Sequence, residues 1–196
     1  MEQRLRIVTV VGNPKANSRT RTVGEEVARQ IAVRFDEPDR TEHDTIELAD
    51  LAAELFDRSS PRVAKRVRQV SNSSVAVFVS PIYKAAYTGL LKAFLDWFDR
   101  TSLQDAVVVP VMVGAAPHHA LAVEVHLRPL LVEIGGIAPT RGLYVIESQI
   151  DDLDSTVARW MTEAGPVIGR TVLERTAPLP DRSTTKSPSR DPFPVR

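Results

Sequence analysis

Two short segments of this chain carry residue types suited to gripping an anion and a flat ring. The first reads Gly12-Asn13-Pro14-Lys15-Ala16-Asn17-Ser18-Arg19-Thr20 and leads from an apolar run into a helical pattern. Ser18 and Thr20 can donate hydroxyl hydrogen bonds, and Arg19 offers a guanidinium fork. The start of the following helix adds free backbone N–H groups and the positive end of its dipole. Together these suit a terminal phosphate monoester. The glycine patterns of other phosphate loops, G-x-x-x-x-G-K-[ST] and G-x-G-x-x-G, do not occur. Alternatively, Ser18 and Thr20 are helix caps and Arg19 is a solvated surface charge.

The second segment reads Ser80-Pro81-Ile82-Tyr83-Lys84-Ala85-Ala86-Tyr87-Thr88-Gly89 and precedes a strongly apolar helix. A planar heteroaromatic ring needs a flat apolar contact and backbone polar groups at its edge. Pro81 and Ile82 restrict the backbone, Tyr83 can pack on the ring, and neighbouring N–H groups can reach its polar side. Ala85, Ala86 and Gly89 leave room for a ligand or a close subunit approach. In the competing reading this is a surface loop whose tyrosines plug the core, and for Tyr87 the two stand level.

The elements that must position these loops are legible from apolar runs. Strands are expected at Arg6–Val11, Asp44–Leu48, Val75–Ser80, Ala106–Gly114 and Gly142–Ile146. Several are apolar at successive positions, which suits parallel strands buried on both faces. The run at Asp44–Leu48 is the weakest and belongs nearer an edge. Helical stripes fall between them at Thr22–Phe35, Arg62–Val70, Leu90–Phe98, Ala120–Ile134 and Leu153–Leu173. A break is expected at Arg128-Pro129 and a bend near Gly165-Pro166. Five alternations of strand and helix describe a doubly wound α/β sheet, with the flavodoxin-like order 2-1-3-4-5 as the leading topology. In such a sheet ligands sit at the carboxyl ends of the strands, where the order reverses. That location favours binding over capping for the first loop.

Composition excludes other classes. Acidic and basic residues balance at 25 each, so bulk charge offers nothing to nucleic acid or to a membrane surface. The absence of cysteine removes disulfides, thiol redox chemistry and Cys-based zinc sites. The four histidines (His43, His118, His119, His126) form no H-x-x-x-H or H-E-x-x-H pattern, and no G-x-S-x-G elbow is present. His118 falls in the loop after the fourth strand, where it could touch a ligand or cap a helix. Trp97 and Phe98 are expected in the core or an interface. No apolar stretch reaches the roughly 20 residues of a membrane span. With no secretion signal at the N-terminus, a cytoplasmic location is expected. The expected layout is a domain over residues 1–175, followed by a Pro/Ser-rich flexible tail over 176–196.

The pair G-N-P-K-A-N-S-R-T and S-P-I-Y-K-A-A-Y-T-G-L-L-K resembles the NADPH-dependent FMN reductase family of flavodoxin-like proteins. Within that family it is most similar to the reductases that supply reduced flavin to alkanesulfonate and methanesulfonate monooxygenases. The likeness runs from about Arg6 through Gln149 and includes A-V-E-V-H-L-R-P. It implies FMN and NADPH (or NADH) as cofactors, with hydride passing from nicotinamide to flavin N5. Ser18, Arg19 and Thr20 would hold the flavin phosphate, and Pro81, Ile82, Tyr83 and Lys84 would line the isoalloxazine. Gly114 and Ala115 would border the flavin near the nicotinamide, and His118 could touch either. The family commonly begins the first loop G-S-x-R. Asn13 and Lys15 stand in those places here and keep a polar and a cationic group. The resemblance also implies a homodimer or homotetramer and a monooxygenase partner. In some of these reductases a residue inserted in the fourth helix makes a π-bulge suited to loose flavin binding, and Val125 or His126 would be that residue. Two other functions share the fold: a quinone or azo-compound reductase with retained flavin, and a non-enzymatic flavin electron carrier.

Overall fold

The computed structural model describes residues 4–35 and 41–176. Beyond Thr176, the expected tail lies outside the described residues. Five parallel strands, β1 (Leu5–Val11), β2 (Thr41–Glu47), β3 (Val75–Pro81), β4 (Val107–Gly114) and β5 (Leu143–Ile146), form one sheet. Their order is β2-β1-β3-β4-β5, the flavodoxin-like arrangement. The weak second run is indeed an edge strand. It begins at Thr41 rather than Asp44, because the edge tolerates polar residues on its open side.

Helices α1 (Arg19–Arg34) and α5 (Leu153–Thr176) cover one face, packing on Ile7, Val11, Val77, Val79, Val109 and Val111. Helices α2 (Pro61–Ser71), α3 (Gly89–Leu95) and α4 (Arg128–Glu133) cover the other, over Val8, Val10, Phe78, Val108 and Met112. The three inner strands β1, β3 and β4 are therefore dry on both sides, and each fully buried Val or Leu contributes about 1.5–3 kcal/mol. Three helices start on hydroxyl caps: Ser18, Ser60 and Thr88 accept from the N–H groups of Arg21, Val63 and Leu91 at 3.4, 3.2 and 3.1 Å. This places the start of α1 at Arg19, ahead of the apolar stripe that begins at Val23. Gly24 lets α1 sit close to the sheet, since a Cβ there would lie 2.6 Å from Val79 Cγ1 and 2.8 Å from Thr9 Cγ2.

Helix α3 stops at Leu95, and the Trp97 indole donates to the Leu55 carbonyl at 2.8 Å. Phe98 is buried and meets Phe94 edge to face, as a core role requires. The break expected at Arg128-Pro129 is instead a change of helix type. A π-helical turn spans Val123–Leu127, its wide pitch marked by the Arg128 N–H reaching back to the Val123 carbonyl, and α4 follows directly. Helix α5 continues through Pro166.

Strand β4 contains Pro110, paired with Phe78 of β3. The Val107 N–H donates to Ser74 on the β3 side, whereas the Val108 N–H donates to Ile137 on the β5 side. By alternation, the N–H that Pro110 lacks would have pointed towards β5. The chain leaves β4 after Ile137 and rejoins it only at Leu143, opposite Val111. Three side chains hold the intervening segment, among them Trp160, whose indole donates to the Arg141 carbonyl at 3.1 Å. Glu124 accepts the Gly142 N–H at 2.6 Å, and the Arg128 guanidinium donates to the carbonyls of Ala138 and Thr140.

Candidate functional site

At the carboxyl edge of the sheet, the loops after β1, β3 and β4 lie side by side on three adjacent strands. The first two are bonded together: the Gly12 N–H donates to Val79 at 2.8 Å, and the Thr88 hydroxyl donates to the Gly12 carbonyl at 2.6 Å.

In the first loop, Asn13 spans the turn. Its amide donates to the Thr20 hydroxyl at 2.9 Å, and its carbonyl oxygen accepts the Lys15 N–H at 2.9 Å. Ser18 and Thr20 are buried, and each hydroxyl acts as an acceptor, Ser18 from the Arg21 N–H. Both therefore keep their own protons to donate to an anion. Lys15 is exposed, and Arg19 reaches across to Glu147 at 3.1 Å from an exposed position. The capping reading thus holds for Ser18 without using up its hydroxyl proton.

Arg21 is spent within the protein. Its guanidinium donates to Glu25 at 2.8 Å, Glu47 at 2.7 Å and the Asn17 side chain at 2.9 Å. Hydrogen bonds to Glu25 and then to Glu47 raise its pKa above the ordinary arginine value. Asn17 is left-handed (φ 51°), and its N–H faces both Glu47 oxygens at 3.1 and 3.0 Å.

The tip of the second loop is shaped by its backbone, and its base is closed by the Ser80 hydroxyl, which accepts the Thr88 N–H at 3.1 Å. Pro81 ends β3, and the Ile82 N–H donates to Val113 of β4 at 2.8 Å. Tyr83 and Ala86 then exchange backbone hydrogen bonds of 2.9 and 3.2 Å around Lys84 and Ala85, both left-handed (φ 52° and 66°). Non-glycine residues adopt that conformation at a cost of about 1–2 kcal/mol each. The side chains of Tyr83 and Lys84 point into solvent, with Tyr83 53% exposed. Tyr87 is half-buried and packs against the core, as does Ile82.

After β4, Gly114 is buried against Tyr144, whose hydroxyl occupies the space a Cβ would need. That hydroxyl donates to the Ala116 carbonyl at 2.5 Å, and burial pushes the Tyr144 phenol above its usual pKa. Ala115 is exposed. His118 is exposed too, its ring 4.0 Å from that of His119, and no side chain caps the short turn it sits in. The π-turn follows, holding both Val125 and His126 exposed, with Leu121 and Val132 exposed on either side.

Reading the sequence alone misses Glu47, Glu147 and Tyr144. Glu47 ends β2, Glu147 follows β5 and Tyr144 lies within β5, and each acts on a loop far away in sequence. For the two acids the available signal was a carboxylate near the carboxyl end of an expected strand. Clefts also occur away from these loops, one of about 630 Å³ between α1, β2 and Asp154, and one of about 320 Å³ at the opposite sheet edge near Arg6 and Arg175.

A family model described as NADPH-dependent FMN reductase matches residues 5–151. The FMN reductase (NADPH) of Escherichia coli strain K12 is 29% identical over 148 residues, 76% of either chain. The NADH-dependent FMN reductase SfnF of Pseudomonas putida is 28% identical over 152 residues, covering 75% of this chain and 80% of that one. Among solved structures, the apo form of the NADH:FMN oxidoreductase EMOB superposes with a TM-score of 0.69 at 29% identity, covering 87% of this chain and 89% of that one. The family match runs through all three loops and every strand of the sheet, and the chain belongs to the NADPH-dependent FMN reductase family.

Proposed function

We propose that this chain is an NAD(P)H:FMN oxidoreductase whose flavin lies along the carboxyl edge of the sheet. The observation that carries the reading is the pair of buried hydroxyls, Ser18 and Thr20, with protons still to donate at the N-terminus of α1. They fit a phosphate monoester, with Arg19 as the charged partner and Asn13 and Lys15 flanking. Pro81, Ile82, Tyr83 and Lys84 form the shelf for the ring, and the bonded loops fix its distance from the phosphate. FMN held there would supply the hydride-accepting chemistry, through N5, for reaction with a reduced nicotinamide. The chain's own part is to bind and orient. Ala115, small and exposed beside Gly114, leaves space for the nicotinamide next to His118. No side chain is needed as acid or base.

The exposed Leu121, Val125 and Val132 along the π-turn and α4 suit a second copy of this chain, as a homodimer or homotetramer. A flavin-dependent monooxygenase as recipient of the reduced flavin, and a cytoplasmic location, complete the proposal. No described helix is long and apolar enough to cross a membrane.

Anaerobic mixing of the purified protein with FMN and NADPH, and separately NADH, tests this. Flavin absorbance should bleach at a rate that saturates with free FMN. Turnover only with a quinone, on flavin that never leaves the protein, would replace this reading with that of a quinone reductase.

A further inference from the structure

We infer that Glu47 is a positioning residue for the phosphate loop and acts through the left-handed Asn17. The inference rests on the reading of Ser18, Arg19 and Thr20 as the phosphate site. Glu47 ends the edge strand with its side chain only 7% exposed, and a buried carboxylate is costly unless fully engaged. Its contacts all go to one place: the Asn17 N–H faces both oxygens, and Arg21 donates to one of them. Asn17 itself is exposed, so packing does not hold its unfavourable conformation. Two interactions do, the Glu47 carboxylate on its N–H and Arg21 on its side-chain oxygen.

Asn17 immediately precedes the cap Ser18, and its backbone sets the angle at which the chain enters α1. That angle decides where the Ser18 hydroxyl and the first N–H groups of the helix aim. The same carboxylate, together with Glu25, occupies Arg21, while Arg19 makes only an exposed pair with Glu147.

Charge and geometry predict opposite signs. Glu47→Gln removes a negative charge near the phosphate site, so electrostatics alone would tighten FMN. Loss of the clamp on Asn17 would weaken it. The test measures dissociation constants for FMN and riboflavin by flavin fluorescence, with thermal melts to confirm folding. Glu47→Gln should weaken FMN about tenfold and leave riboflavin unchanged. Asn17→Val, at an exposed position, resists the left-handed conformation and should behave alike, whereas Asn17→Gly adopts it freely and should keep its FMN preference. Tighter or unchanged FMN in Glu47→Gln overturns the inference, as do equal losses for both ligands or a loss in Asn17→Gly as large as in Asn17→Val. If Arg19→Ala abolishes the FMN preference while the Glu47 and Asn17 variants retain it, the positioning role alone fails. If Arg19→Ala and Ser18→Ala leave the preference intact, the phosphate site itself is misassigned.

Discussion

The loop after β1 is held by side chains along its length, and the tip of the loop after β3 by backbone, with Ser80 and Thr88 hydroxyls only at its base. In the first, Asn13 bridges to Thr20, Glu47 grips Asn17, and Arg21 joins both to Glu25. In the second, Tyr83 and Ala86 bond each other through the main chain, while the Tyr83 and Lys84 side chains stay free. The contrast matches the ligand parts proposed for each. A phosphate is recognised by donors at set distances, which side chains must place. A flat ring is recognised by a surface, which a rigid turn presents whatever its side chains are.

The largest effect should come from the side-chain loop. Arg19→Ala should weaken FMN by about 10- to 100-fold, the worth of a charge-assisted hydrogen bond, and leave riboflavin untouched. Equal losses in a titration of both ligands would mean that this loop does not read phosphate. Next comes the loop after β4, where shape rules. Gly114→Ala should cost about 1–3 kcal/mol in a denaturant melt by driving a methyl group into the Tyr144 hydroxyl. Tyr144→Phe in the same chain should recover part of that loss, and failure to do so would remove the tyrosine from the account. The smallest effect belongs to the backbone-built turn. Ala85→Gly should stabilise the protein by up to about 1 kcal/mol, because glycine takes its left-handed conformation without strain. A lower melting temperature would show that the turn depends on the methyl group, and the contrast between the loops would blur.

How much of this was legible in the sequence follows from which interactions are local. Strands β1, β3 and β4 declared themselves because both faces are dry and nearly every residue is apolar. The edge strand β2 hid its first three residues because Thr41, Glu42 and His43 are polar and look like loop. The start of α1 was set by Ser18, a cap that an apolar stripe cannot reveal. The phosphate-loop residues could be named by type, since hydroxyls and an arginine next to a helix start have a chemistry of their own. The residues that hold them could not. Glu47 lies 30 positions from Asn17, and Glu147 lies 128 from Arg19, so only the folded sheet brings them together. The π-turn was expected only through family resemblance, and the structure includes both candidate residues in it. Nothing in the local sequence distinguishes a wide turn from an ordinary one.

Because Pro110 offers no hydrogen, the outermost strand is stitched to the sheet over four residues, and the stretch before it hangs from Glu124, Arg128 and Trp160. That margin of the molecule is thus fastened by side chains reaching from neighbouring helical segments instead of by a continuous ladder. Cutting any one of these side chains would loosen the border while the centre, laddered on both sides, stays intact.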